Sequence, residues 1–422
     1  MRLVSNEKIE MPDLIRHTWD NRGETFNWEL FDKTAALIVD ALTRGWEDKE
    51  GLKLAKHANP AQISIDYNSP DYACLQMFEL NIYQFSAGKS AAVVQQLNEL
   101  ARDNETFSEF RKKAEIITTV FNKNYLRTEY DFAHNTASNA AKYHRMRGLK
   151  NEFPTWQYMT AGDDRVRSAH RALSGKKFEA DGAAFDTIMP PNGWGCRCYV
   201  KPLAGKPNSY TTKEQAEDLL AQSGIDKQGK SEWDRMMKHG FNVNRGKVKQ
   251  IFDKNKMYVH ENLSEKLSYK DQGMKAYSEM DRASFADRDI MERDKTWATA
   301  WHDKFGETAV DYAKRRLTFS KKTVKSHLTD NYIQEGVDGR QNTIELVPEV
   351  LNSPDEVYLF DAGSNRYKLR YIKYYTNFNL NVVSEITDDR LRIQSWYNIE
   401  TGLDAHARNG ILIKRNPAIV KD

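Results

Sequence analysis

Tyr158-Met-Thr-Ala-Gly-Asp-Asp-Arg165-Val-Arg167-Ser-Ala-His170-Arg-Ala-Leu173, closed further on by Pro190-Pro-Asn-Gly-Trp-Gly-Cys196-Arg-Cys198, is the stretch on which the reading of this chain turns. Pro190 and Pro191 fix two backbone φ angles, while Gly193 and Gly195 permit turns that other residues resist, so the closing segment can fold back tightly. That return would bring Cys196 and Cys198 toward His170. Two thiolates and an imidazole are good zinc ligands, and Asp163 or Asp164 would complete four. Against this, Cys-x-Cys is a less usual zinc spacing than Cys-x-x-Cys, and buried free cysteines often behave as small hydrophobes. Two outcomes stay open on the residues alone. One is a structural zinc held by His170, Cys196 and Cys198. The other is a hairpin held by Trp194 packing, with Arg165 or Arg167 paired to Asp163 or Asp164. No nucleophile stands beside a base here.

Working toward the N-terminus, Leu126, Tyr130, Ala133, Ala137 and Ala140 repeat at helical spacing, which predicts a helix over 124–147 with Gly148 as its stop. Phe31, Ala35, Ile38 and Leu42 form one helical stripe, and Leu75, Phe78, Ile82 and Phe85 another. Thr106 followed by Glu109 has capping-box spacing. After Pro154 the clustered Gly, Pro, Asp and Asn predict a compact, loop-rich segment with short strands. Residues 206–305 are polar with few apolar stripes and read as an extended helical connector. From Thr318 onward the pattern turns to strand-like alternation. The expected architecture is therefore multidomain α+β, divided into 1–115 (helical), 116–205 (a small loop-rich α+β module), 206–305 (connector) and 306–422 (α+β with a four-stranded antiparallel sheet).

A chain of 422 residues calls for two or three domains, and 40% hydrophobic with 29% charged residues excludes a disordered one. A net charge of +3 is too mild for a generalised nucleic-acid binder, so any such contact must come from local arrangement. No stretch approaches the roughly 18 apolar residues of a membrane helix, and the first residues lack an apolar signal core. The expectation is a cytoplasmic setting with no membrane partner. The 3 cysteines do not make a secreted disulfide framework.

The Asp-Arg-Val-Arg run, the following His170 and Leu-x-Gly, and the Pro-Pro-Asn-Gly-Trp-Gly-Cys-Arg-Cys closure resemble the phage Mu F-like head-morphogenesis family of minor capsid proteins. Arg127, Thr128, Glu129 and Asn135, leading to Tyr143 and Arg145, look like that family's lead-in. The resemblance covers about 116–205. It implies assembly work in a tailed phage or prophage, beside portal and capsid proteins, in the virion and the host bacterial cytoplasm.

The C-terminal part carries a second set of signals. Leu317 to His327 suggests a strand end followed by a helix bearing a histidine. Ile344, Val347, Val350 and Leu351 form a helical stripe broken at Pro354. Glu356–Phe360, Arg366–Tyr374, Asn381–Ile386 and Arg390–Tyr397 are the strand candidates. The layout, with Ser320, His327, the Pro348 to Val357 run and Ser395-Trp-Tyr397, resembles the phage branch of Barnase–EndoU–colicin–RelE-like nucleases. That resemblance implies metal-independent RNA cleavage, needing a base, an acid and cations for the phosphorane charge.

His327 is the acid/base candidate because imidazole titrates near neutral pH. Alternation puts Arg366, Lys368 and Arg370 on one strand face, and Arg390, Arg392, Gln394 and Trp396 on another. Lys325, Arg370, Arg392, Ser395 and Tyr397 complete the candidate nuclease site, for which no cofactor is needed and host RNA is the substrate. The plainer reading of the same alternation is the solvated face of a half-buried strand, since 306–422 holds 17 Lys and Arg against 16 Asp and Glu. Three functions follow. They are an assembly protein with an RNase toxin attached, an assembly protein whose C-terminal domain only binds portal or nucleic acid, and an ADP-ribosyltransferase. The last wants paired glutamates, and Glu385 and Glu400 stand apart.

Overall fold

The computed structural model describes residues 11–47, 70–104, 106–119, 125–259, 262–329, 339–364, 366–386, 390–399 and 404–421. In chain order these form α1 (Met11–Asp20), α2 (Trp28–Trp46), α3 (Pro70–Arg102), α4 (Phe107–Thr119), α5 (Leu126–Gly148), β1 (Thr155–Met159), α6 (Ser168–Leu173), β2 (Lys177–Glu179), β3 (Tyr199–Leu203), α7 (Lys213–Ala221) and α8 (Glu232–His239). The C-terminal part adds α9 (Lys295–Phe305), β4 (Thr308–Val310), β5 (Arg316–Thr318), α10 (Lys321–His327), α11 (Val347–Asn352), β6 (Glu356–Asp361), β7 (Tyr367–Tyr374), β8 (Asn379–Ile386), β9 (Leu391–Asn398) and β10 (Ile411–Arg415). The chain divides into two compact units, one of Met1–Gly23, Glu29–Ser64 and Ala92–His260, the other of Glu24–Trp28, Ile65–Ala91 and Glu261–Asp422. Among the described residues no helix is long and apolar enough to cross a membrane.

In the first unit, the helical stripes read from the sequence become core. Leu14, Ile15 and Leu30 pack with Val93, Leu97, Ala101, Phe110 and Ala114. The Thr106 hydroxyl accepts the Glu109 amide at 3.3 Å and donates to the Glu109 carboxylate at 3.0 Å, starting α4 as its spacing predicts. Helix α5 matches its expectation closely; Asn124, the expected first residue, lies outside the described residues. Against it sits a three-stranded antiparallel sheet of order β2-β1-β3. Trp156 and Tyr158 of the central β1 are fully buried. The Tyr143 hydroxyl donates to Asp181 at 2.9 Å and so ties α5 to the loop after β2.

The second unit is built on a seven-stranded sheet of order β10-β6-β7-β8-β9-β5-β4, not on four strands. The four expected strands are its centre, in antiparallel succession. Strands β4 and β5 hold three residues each and β10 five, too short for alternation to announce them. Strand β5 joins β9 in parallel through Thr318 and Arg392.

Both faces of this sheet have cover. On one, Tyr371 donates from its hydroxyl to Asp311 at 2.9 Å, and Gln84 of α3 bridges the Asp361 carboxylate at 2.8 Å and the Tyr367 hydroxyl at 2.9 Å. On the other, Tyr358, Ile372, Tyr374 and Leu412 form a core with Tyr269, Met274, Tyr277 and Met280. The fully buried Arg408–Glu356 ion pair lies among those tyrosines. The stretch expected to be an extended helical connector is thus different in kind. Its first part carries α7 and α8, both opened by capping boxes, and from Glu261 onward it belongs to the second unit's core. Tyr269, Met274, Tyr277 and Met280 sit in a turn, an isolated bridge, a single 3-10 turn and a bend, so their apolar side chains leave no periodic stripe.

Candidate metal centre and nuclease face

The Asp-Arg-Val-Arg loop and the Cys-x-Cys closure meet over β1. His170 of α6 places its Nδ1 3.7 Å from Cys196 Sγ and 3.5 Å from Cys198 Sγ, with all three residues buried. Its Nε2 faces Glu232 Oε1 at 3.5 Å, and Arg235 holds the same carboxylate at 2.9 Å. Burial opposes protonation of His170, but the bond to Cys196 and the Glu232 carboxylate outweigh it and raise its pKa to about 9. The hydrogen bond between the two thiols pushes Cys196 down and Cys198 up, with His170 also favouring the Cys196 thiolate.

The loops around this cluster are fastened by groups that the sequence assigned differently. Asp163 is paired not with Arg165 or Arg167 but with Arg197, through two bonds of 2.7 Å, which holds its carboxyl below the ordinary range. A bidentate pair of this kind occupies the Asp163 carboxylate, one of the two candidate fourth ligands, and the other, Asp164, is not among the residues that group with His170, Cys196 and Cys198. Arg167 instead donates to the Trp194 carbonyl at 2.6 Å and approaches Glu232 at 3.7 Å. Gly193 leaves room for Arg167, because a Cβ there would stand 3.1 Å from its guanidinium and press it aside by a few tenths of an ångström. Trp194 packs on Phe132 and Phe241 with ring centroids 4.8 and 5.4 Å away, as the hairpin alternative expected. Asn135 of α5 donates to the Cys196 carbonyl at 3.1 Å.

In the second unit, strand register decides which candidates share a face. Arg370 lies opposite Val383, which lies opposite Ser395; Ile372 lies opposite Asn381, which lies opposite Tyr397. Lys368, Glu385 and Arg392 form a third cross-strand row on that same face. A register shift between Val383 and Ser384 makes Gln394 an extra residue, so Trp396 does not share a face with Arg392 as simple alternation expected. Trp396 turns to the opposite face and is fully buried. Its indole N–H donates to the Arg340 carbonyl at 3.0 Å.

His327 lies on that opposite side, its ring 5.5 Å from the Trp396 ring and its Nδ1 2.8 Å from the Thr323 carbonyl. The sheet therefore separates His327 from Arg370, Ser395 and Tyr397. Lys325, on the same short helix, is exposed. Arg370 donates to the Asn409 carbonyl at 3.1 Å and to its side chain, and stands over the Phe360 ring at 5.1 Å. Burial holds its pKa below the ordinary arginine value. Asn381 donates to the Tyr397 hydroxyl at 2.8 Å, leaving the phenolic proton free to point elsewhere.

Comparison with known proteins finds a match in each of the two units. Residues 93–201 match the family described as Phage Mu protein F like protein. This is a Mu F-like region. Residues 296–414 match phage-Barnase-EndoU-ColicinE5/D-RelE like nuclease2. The Mu-like prophage FluMu F protein of Haemophilus influenzae is 44% identical over 69 residues, 16% of this chain and 17% of that protein. Protein F of Escherichia phage Mu, whose name assigns it to capsid assembly, is 38% identical over 79 residues, 19% of this chain and 18% of that one. The chain thus spans less than a fifth of the curated relatives it matches. No solved structure matches.

Within the Mu F-like region, His170, Cys196 and Cys198 converge as the sequence suggested, while Glu232 lies beyond the matched residues and was not foreseen. Its Ser231 capping box marks a helix start, and nothing in that local pattern points at a histidine some sixty positions earlier. Within the nuclease-like region, two acidic residues of the described strands share the cationic face: Glu356, buried against Arg408, and Glu385, which lies 3.6 Å from Arg366. The sequence singles Glu385 out only as half of a glutamate pair; Glu400, the other half, lies outside the described residues. Its alternation with Val383 and Asn381 was the available signal.

Proposed function

We propose that this chain helps to build a phage head, in contact with portal and capsid proteins, and carries a metal-independent RNase into the host cytoplasm. The assembly half rests on the Mu F-like match and on the capsid-assembly name of one relative. The nuclease half rests on one observation above others, the row Lys368, Glu385 and Arg392 beside Arg370 on a single sheet face. In this reading the Glu385 carboxylate takes the proton of a ribose 2′-hydroxyl, whose oxygen then bonds to phosphorus. The bond from phosphorus to the 5′-oxygen breaks, and the Tyr397 hydroxyl gives that oxygen a proton, leaving a 2′,3′-cyclic phosphate. Lys368, Arg370 and Arg392 offset the charge gathered on the phosphorane, with Ser395 donating a hydrogen bond.

The bonds that already hold Arg370 to Asn409 favour a second reading, in which the face binds portal or nucleic acid and cleaves nothing. Incubating the full chain with transfer RNA in EDTA separates them. The first expects fragments ending in cyclic phosphate, lost in Glu385→Gln and Arg370→Ala. Intact RNA with wild-type protein leaves the binding module.

A further inference from the structure

We propose that His170, Cys196 and Cys198 bind one zinc ion, with Glu232 fixing the histidine from behind and the fourth position left to a water or another exogenous ligand. Two sulfurs converge on the single nitrogen Nδ1, at 3.7 and 3.5 Å, and one imidazole lone pair accepts only one thiol proton. A cation satisfies all three groups at once. Taking Zn–S as about 2.3 Å and Zn–N as about 2.0 Å, a tetrahedral ion separates its nitrogen and sulfur ligands by about 3.5 Å. All ligand atoms lie within 4.8 Å of one another.

The surroundings fit the same ion. A doubly charged cation with two thiolates and a neutral imidazole is neutral as a set, which a buried site requires. Nε2 of His170 faces Glu232 Oε1, the carboxylate–histidine arrangement that orients zinc-bound imidazoles. Arg235 at 2.9 Å and Arg167 at 3.7 Å balance that carboxylate. Among the described residues no fourth His, Cys, Asp or Glu joins the group, and Asp163 is engaged by Arg197. Three protein ligands with one open position is the pattern zinc keeps where it exchanges a ligand. The ion would fasten α6, the closing hairpin and α8 at one point.

The test uses the full chain, expressed in zinc-supplemented medium and measured for metal by plasma mass spectrometry. One zinc per chain is expected, and loss of at least tenfold in Cys196→Ser and Cys198→Ser. Those variants can fail to fold, so the wild-type protein is also stripped and titrated with cobalt(II). Near-ultraviolet thiolate-to-cobalt bands and intense visible bands of tetrahedral cobalt are expected. Glu232→Gln should keep those bands while weakening affinity about 10- to 100-fold. Zinc below a tenth of an equivalent together with no cobalt bands overturns the proposal, as does a Cys196–Cys198 disulfide in the intact mass.

Discussion

Arg315 Nε lies 3.2 Å from Glu79 Oε2, an ion pair that joins residues 236 positions apart. Arg315 also reaches Asp311 at 3.2 Å and is almost wholly buried. Since the matched nuclease-like region begins at residue 296, the partner that satisfies its buried arginine comes from far upstream. The compact unit that contains 306–422 also takes in Ile65–Ala91 and the chain from Glu261 onward. Expressed alone, 306–422 should fail to give a cooperative unfolding transition, whereas a fragment that keeps residues 65–91 joined to 261–422 should unfold cooperatively in urea. In the full chain, Glu79→Gln should cost about 1–3 kcal/mol, because the guanidinium keeps Asp311 but loses a charged acceptor.

Asp311 supplies a pH signature of unusual sign. Burial raises its pKa, with Arg315 opposing. A carboxyl whose folded pKa exceeds its unfolded value binds its proton first in the folded chain, so its contribution to stability rises as pH falls through that folded value. Urea midpoints measured just above the ordinary carboxylate range should therefore decline less steeply with acid in wild type than in Asp311→Asn. Identical slopes would show that Asp311 does not titrate in this way.

His327 and Arg370 lie on opposite faces, so their substitutions should separate. His327→Ala removes a ring packed on Trp396 and should cost about 1 kcal/mol in thermal unfolding while changing RNA cleavage less than threefold. Arg370→Ala should lower cleavage more than tenfold. The reverse order of activities would move the chemistry to the helix side.

Trp194 seals the hairpin while remaining 39% exposed. Trp194→Ala loses its contacts with Phe132 and Phe241 and should cost about 2 kcal/mol, less than a fully buried Trp→Ala. Gly195 has φ +68 with open space around it, so Gly195→Ala should cost about 1 kcal/mol through backbone strain alone. Denaturant unfolding of the two variants gives the comparison.

What could be read in the sequence was whatever repeats locally. Alternating runs rich in β-branched and aromatic residues announced β6 through β9 to within a few residues, and apolar residues at steps of three or four announced α2 and α5. The convergence of His170 with the cysteines was legible because prolines and glycines constrain the return. Long-range partnerships were not. Glu79 with Arg315, and Glu232 with His170, join elements whose local patterns carry no address. The extra residue Gln394 was equally hidden, since one insertion in β9 reverses every later side chain without disturbing composition. That single residue sends Trp396 away from Arg392 and returns Tyr397 to it.

The dependence of the C-terminal sheet on residues 65–91 constrains how a gene of this kind can change. A crossover that exchanged only its 3′ end would leave Glu79 and Gln84 facing a foreign surface, with nothing chosen to receive them. A different nuclease-like unit could be acquired intact only by replacing two separated coding segments together, with the Mu F-like stretch between them left in place.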